Sequence, residues 1–296
     1  MLEIIDYRNF EIDNQVFIKP DFMNHNTVSG NKLRKLKYNL IEAKNDGLNT
    51  LLTFGGAFSN HISAVASAGQ LLGFKTIGII RGEELASKIE SNATLSYAQS
   101  CGMSLKFISR EHYRDKANSD FISGLHEEFG EFYLLPEGGT NALAIKGCEE
   151  ILTEADKDFD YICCSVGTGG TISGLINSAL PHQKIIGFPA LKGDFLTEEI
   201  TKFVTSTNWE LITTYHFGGY GKVNNTLIEF INNFKATNTI QLDPIYTGKM
   251  MFGIYDLIEK GYFPKGSKIL AIHTGGLQGI EGMNQRLKQQ NKPLIV

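Results

Sequence analysis

Cysteine is scarce, at 4 in 296 residues, and no pair of cysteines has the spacing of metal ligands. Cys163 and Cys164 adjoin in the apolar run Tyr161-Ile162-Cys163-Cys164-Ser165-Val166, while Cys101 and Cys148 stand alone, so all are expected as reduced, small apolar groups. Proline is also rare, at 7, which argues against a disordered or fibrous chain. Long apolar runs are missing: stretches such as 76–80 and 269–272 fall far short of the roughly 20 residues that cross a bilayer. The start, Met1-Leu2-Glu3-Ile4-Ile5-Asp6, has acids where a secretion signal carries basic residues, so a cytoplasmic protein is expected. There is no excess of positive charge either. The 28 basic and 32 acidic residues leave a net charge of -4, so neither nucleic acid nor a membrane is expected as a partner, and small molecules become the default.

What is present is an alternation. From about residue 50, short β-rich runs at 50–54, 75–80, 104–108, 132–135, 160–166, 184–188 and 268–273 predict strands. Between them, helical patterns cover 31–45, 59–68, 91–101, 141–155, 171–179, 224–233, 247–260 and 277–288. That rhythm predicts an α/β protein with parallel sheets covered by helices, of a length suited to one large or two medium domains. Glycine clusters fall where strands hand over to helices: Gly55-Gly56, Gly138-Gly139, Gly167-Thr168-Gly169-Gly170 and Gly275-Gly276. Such turns share one crevice in a parallel sheet, where helix N-termini favour an anionic ligand.

The segment Val166-Gly167-Thr168-Gly169-Gly170-Thr171 follows a strand and opens a helix, so its amides can wrap a phosphate. It is not a dinucleotide fingerprint, because Ile172 stands where the third glycine belongs, and it lacks the Gly-Lys of a nucleotide-binding loop. Upstream, Gly30-Asn31-Lys32-Leu33-Arg34-Lys35-Leu36 enters a helix whose buried stripe is Leu33, Leu36 and Leu40. The helix dipole opposes an ammonium at Lys32 and lowers its pKa, useful for an amine that must react. Taken alone, Lys32, Arg34, Lys35 and Lys37 read as a solvated basic helix face. Thr53-Phe54-Gly55-Gly56-Ala57-Phe58-Ser59-Asn60-His61 reads as a strand, a turn and a helix N-cap at Ser59 or Asn60.

These motifs together, with His273-Thr274-Gly275-Gly276, resemble in order and spacing the pyridoxal phosphate enzymes of the tryptophan synthase β fold. The stretch Leu242-Asp243-Pro244-Ile245-Tyr246-Thr247-Gly248-Lys249 resembles the branch of 1-aminocyclopropane-1-carboxylate deaminases and D-cysteine desulfhydrases. The resemblance implies fold type II: two three-layer α/β units, a larger one from 1–37 and 143–296 and a smaller one from 38–142, with the active site between them. It implies pyridoxal 5'-phosphate as cofactor, carried by Lys32 as a Schiff base, with Asn60 on the ring hydroxyl. Gly167, Thr168, Gly169, Gly170 and Thr171 would hold the phosphate, and Thr274 would stand near the pyridine nitrogen. Ser59, Asn60, His61 and Thr247 are implied on the substrate side, and Lys32, Ser59, Tyr246 and Tyr220 as catalytic residues. Thr140 and Asn141 are expected as helix caps first and pocket wall second.

In the cyclopropane deaminases a glutamate follows the tyrosine of the Tyr-x-Gly-Lys motif; here Thr247 does, as in the desulfhydrases. The expected reaction is therefore β-elimination from D-cysteine, giving pyruvate, ammonia and sulfide. Ring opening of 1-aminocyclopropane-1-carboxylate to 2-oxobutanoate, or deamination of D-serine, is the alternative. A non-catalytic protein that binds the cofactor or an amino acid is the contrasting class, disfavoured by Lys32. A small amino acid and a second copy of the chain, as a homodimer, complete the expected partners; no metal is expected.

Overall fold

The computed structural model describes residues 2–296. In chain order its elements are β1 Phe10–Glu11, β2 Val16–Lys19, α1 Asn31–Asn45, β3 Thr50–Gly55, α2 Asn60–Leu72, β4 Lys75–Arg81 and α3 Ala93–Ser100. There follow β5 Ser104–Ile108, α4 Ser119–Phe129, β6 Tyr133–Leu135, α5 Ala142–Glu149, β7 Tyr161–Val166, α6 Gly170–Ser178, β8 Lys184–Pro189 and α7 Phe195–Thr201. The chain ends with β9 Trp209–Leu211, α8 Asn225–Asn238, α9 Thr247–Glu259, β10 Ile269–Ile272 and α10 Gly279–Gln289. All the expected strands and helices appear, with ends displaced by up to six residues: the helix expected over 141–155 stops at Glu149, and the one expected to end at 233 runs to Asn238. β1, β2, β9, α4 and α7 were not foreseen.

The strands form two sheets, one of six in the order β1-β2-β10-β7-β8-β9 and one of four in the order β5-β4-β3-β6. Every pairing is parallel except β1 with β2. Alternation along each strand sends side chains to opposite faces, and both faces are covered, as parallel sheets require. In the larger sheet Cys163 and Ile186 face a core with Leu227, Ile231, Met250 and Ile254 of α8 and α9. Ile162, Cys164 and Ile185 face the other way, toward Leu175 of α6 and Ile200 of α7. In the smaller sheet Leu51 packs with Leu36 of α1, Ile62 of α2 and Leu95 of α3, while Leu52 and Phe54 pack with Leu125 of α4.

All four strands of the smaller sheet lie within 38–142. Helix α1 is continuous across 37 and 38: Leu33, Leu36 and Leu40 share the core of Leu51 and Ile62, while Gly147 of α5 packs against the Arg34 carbonyl, so the helix touches both units. The four cysteines are free and buried. Among the described residues no helix is long and apolar enough to cross a membrane.

Candidate active site

The C-terminal ends of β3, β6, β7 and β10 each lead into a glycine turn. Around those turns α1 is the central support. Gly30 enters it at φ 68°, and a Cβ there would stand 2.0 Å from the Thr274 carbonyl oxygen, so only glycine fits beside the turn after β10. The Asn31 amide donates to that same oxygen at 3.2 Å, and its side chain donates to Thr171 Oγ1 at 2.8 Å. Three residues apart on one helical face, Lys32 and Lys35 both reach the Gly138 carbonyl, at 3.4 and 3.0 Å.

Here the reading of a solvated basic face fails. Arg34 and Lys35 are each 2% exposed. Arg34 bonds Asp21 and Asp6, a structural ion pair that ties α1 to the N-terminal segment. Lys35 donates to Gly138 O, Thr140 Oγ1 at 2.9 Å and Thr168 Oγ1 at 3.4 Å, all neutral acceptors. Burial lowers its pKa to about 8. Lys32, partly exposed, has its pKa lowered well below the ordinary amine range, first by burial of its ammonium and then by the like charge of Lys35. The expected depression is present, with a cause other than the helix dipole.

Past β7, Gly169 sits at φ 86° and α6 starts at Gly170, leaving the first amides of the helix without intrahelical acceptors. A Cβ on Gly170 would lie 2.8 Å from Thr140 Oγ1 and 3.1 Å from Lys35 Nζ, so this turn and the Glu137-Gly138-Gly139-Thr140 turn from the smaller sheet close on one spot. Thr140 and Thr168 bond each other at 2.6 Å. Asn141 caps α5, its oxygen accepting from the Ala144 amide at 2.8 Å.

Ser59 is the N-cap of α2, its Oγ accepting from the Ile62 amide at 3.3 Å, and Asn60 and His61 supply the first helical amides. Asn60 Nδ2 is 3.1 Å from where a Cβ on Gly276 would be, so it faces the Thr274 turn. His61 is 1% exposed, and both its ring nitrogens are unpartnered among the described residues; burial, then Lys32 and Lys35, holds its pKa well below the usual range, leaving it neutral.

Tyr246 precedes α9. Asp243 accepts from the amides of Ile245, Tyr246 and Thr247 at 2.8, 3.0 and 2.8 Å. Thr247, fully buried, donates its hydroxyl to Asp243 Oδ1 at 2.8 Å and accepts from the Asp243 amide at 2.9 Å. Its hydroxyl is thus engaged within this cap. A Cβ on Gly167 would stand 3.3 Å from the Tyr246 ring, and the Tyr220 ring meets Tyr246 edge-on at 6.1 Å. Burial, then Tyr220, raises the Tyr246 pKa well above the ordinary phenol range, so it stays a proton donor.

A cleft of about 660 Å³ is lined by Lys32, Asn60, Ser63, Tyr97, Thr274 and Glu281 among others; Ser59, the glycine loop and the two tyrosines stand outside that lining. Lys35 is the residue that sequence reasoning missed. Its spacing of three from Lys32 was the available signal, since it puts both on one face.

The arrangement fits pyridoxal phosphate. Lys35 is a buried cation without an acidic hydrogen-bond partner among the described residues, beside a helix N-terminus, so a phosphate dianion there would offset the burial of its charge. The unpartnered nitrogens of His61 lie under the same turn, against Gly139. Among the described residues no cluster of three His, Cys, Asp or Glu could hold a metal.

Comparison with known proteins agrees with this fit. A protein of Pyrococcus horikoshii, provisionally named a 1-aminocyclopropane-1-carboxylate deaminase, is 30% identical over 91% of this chain and 86% of its own. A bifunctional D-cysteine desulfhydrase/1-aminocyclopropane-1-carboxylate deaminase of Arabidopsis thaliana is 28% identical over 90% of this chain and 73% of its own. The crystal structure of an ACC deaminase homologue superposes with a TM-score of 0.82 at 28% identity, covering 93% of this chain and 88% of that one. The fold is that of the type II pyridoxal phosphate enzymes, as expected. The model of the pyridoxal-phosphate dependent enzymes matches residues 3–275, nearly the whole chain, and the protein belongs to that family.

Proposed function

We propose that the protein catalyses β-elimination from D-cysteine, taking up water and releasing pyruvate, ammonia and sulfide. The observation that carries the reading is the Lys32 amine, its pKa depressed, at the wall of a cleft and bonded, like Lys35, to the Gly138 turn that meets the head of α6. In its neutral form Lys32 is both the nucleophile that holds the cofactor and the base that takes the substrate Cα proton. Bound pyridoxal phosphate supplies the electron sink for the pair that this proton leaves behind. Lys35, the Thr168 hydroxyl and the amides from Gly167 to Thr171 would hold the phosphate. Asn60 would bond the ring hydroxyl and Thr274 would stand by the ring nitrogen. The Ser59 hydroxyl and the unpaired amides of Asn60 and His61 orient the substrate carboxylate at the N-terminus of α2. Tyr246, held protonated, and Tyr220 manage protons on the side of the glycine loop.

Thr247 supports D-cysteine over the cyclopropane acid. Ring opening delivers a proton to a carbon leaving group, whereas hydrosulfide leaves with little acid help. A neutral side chain already bonded to Asp243 offers no acid at that place. The reading includes a homodimer in a cytoplasmic setting. Its test is a comparison on one preparation: pyruvate released from D-cysteine against 2-oxobutanoate from 1-aminocyclopropane-1-carboxylate. Faster release of 2-oxobutanoate replaces D-cysteine with the alternative, and product from neither, nor from D-serine, overturns the enzymatic reading.

A further inference from the structure

Tyr246 and Tyr220 are held by different means. The cap of α9 fixes Tyr246, but Tyr220 is 49% exposed, on the loop between β9 and α8. Packing gives such a ring little support, so its place depends on its backbone. Phe217, Gly218, Gly219 and Gly221 all have positive φ, at 53°, 92°, 111° and 64°. For Phe217 that region costs about 1 kcal/mol or more, so the loop needs support from outside itself.

Two tight turns build this loop: the Gly219 amide donates to His216 O at 3.0 Å and the Lys222 amide to Gly219 O at 3.1 Å. The Lys249 ammonium donates to the same two oxygens, each at 2.9 Å. Lys249 lies in the first turn of α9, is 2% exposed and makes no salt bridge among the described residues. Burial lowers its pKa to about 8, an unfavourable term that an apolar side chain with only a packing task would avoid. Arg286 of α10 adds a third tie, to Gly221 O at 3.0 Å.

We propose that Lys249 is the positioning residue for Tyr220: by bonding both turns, it sets the Tyr220 ring at a fixed offset from Tyr246. The first turn of α9 thus follows one tyrosine directly and clasps the loop of the other. This rests on the reading of the tyrosine pair as proton-handling groups, and it adds how the exposed member is kept in place.

The test uses holoenzyme and whichever of D-cysteine or 1-aminocyclopropane-1-carboxylate it turns over faster, with kcat and KM measured for Lys249→Met, Tyr220→Phe and the double variant. Lys249→Met, losing two charged hydrogen bonds, should keep the cofactor absorbance and a KM within about twofold while kcat falls at least about tenfold. Lys249→Arg, which keeps a charged donor, should recover most of that loss. Because both changes act on one tyrosine, the double variant should lie within about twofold of Tyr220→Phe alone. Losses that multiply in the double variant overturn the proposal, as does Lys249→Met at full kcat beside a slow Tyr220→Phe. Tyr220→Phe at full kcat removes the underlying reading of the tyrosine pair and the proposal with it. If Lys249→Met does not accumulate as folded protein, Lys249→Gln, with a donor for one carbonyl, makes the same comparison with a smaller fall.

Discussion

Replacing Lys35 by methionine should have opposite effects on the protein with and without its cofactor. Methionine matches the length of the stem and removes the ammonium. Holding Lys35 protonated with its pKa lowered from 10.5 to about 8 costs the cofactor-free fold about 3 kcal/mol at neutral pH. Against this stand hydrogen bonds to neutral oxygens, about 1 kcal/mol each. The Thr140 and Thr168 hydroxyls keep each other as partners when the ammonium is gone. Cofactor-free Lys35→Met should therefore melt at or above the temperature of the unchanged protein. The folded pKa is the lower one, so the penalty is complete below about pH 8 and fades as pH rises toward 10.5. Over that window the unchanged protein should gain stability, and the variant should gain less. Loading reverses the order. A phosphate dianion satisfies the buried cation, and losing that pairing should weaken pyridoxal phosphate by at least about 3 kcal/mol, on the order of 100-fold in Kd. Titrating cofactor-free protein with pyridoxal phosphate and with pyridoxal, by absorbance, isolates the phosphate: only the first ligand should lose affinity. Equal losses for both, or less than about a threefold loss for pyridoxal phosphate, would refute the placement of Lys35 at the phosphate.

Lys32→Ala should abolish the absorbance of the lysine-bound cofactor and all turnover; borohydride reduction followed by peptide mapping should tag Lys32, and a tag on Lys35 or Lys249 contradicts the assignment. Gly147→Ala should lower stability by about 2 kcal/mol, read from chemical denaturation, because its new Cβ would meet the Arg34 carbonyl oxygen at 1.9 Å where α5 crosses α1. Thr247→Glu puts a second buried carboxylate beside Asp243, so both the melting temperature and D-cysteine turnover should fall, the latter at least about tenfold. Thr247→Ser keeps the hydroxyl and should retain turnover within about threefold; a tenfold fall there means that the threonine methyl matters.

What the sequence reveals follows what its physics makes visible. Strands such as Leu51-Leu52-Thr53-Phe54 are legible because a parallel sheet buries both faces and the run is apolar but for the β-branched Thr53. β2 is hidden because it is four residues long and ends in Lys19, which reads as surface but bonds Asp156 in the interior at 2.5 Å. α4 is hidden because only Leu125 of its eleven residues is fully buried, so its stripe is faint. In the site, glycine turns and a reactive lysine announce themselves by local pattern. Lys35 does not, because the anion that suits it is not part of the chain. The hydroxyl of Thr247 shows the reverse case. Its motif marks the position, but not its bonds to Asp243, which caps the helix, a three-dimensional arrangement that motif matching does not resolve.

Helix α1 acts as a ruler. Lys32 and Lys35 are separated by three residues of one rigid helix, about 4.5 Å of rise, so the distance from the reacting amine to the phosphate anchor is set by helical pitch. No hinge between the two sheets can alter that distance. What a hinge can alter is the grip of the smaller sheet's turns on the ruler, because the first residue of the ruler bonds Thr171 and Thr274 of the larger unit, while the Gly138 turn that meets Lys32 and Lys35 springs from the smaller one. A cofactor held by the amine, Lys35 and the glycine loop on one side and by Asn60 of α2 on the other would be a pin through both leaves, and the loaded protein should open less readily than the empty one.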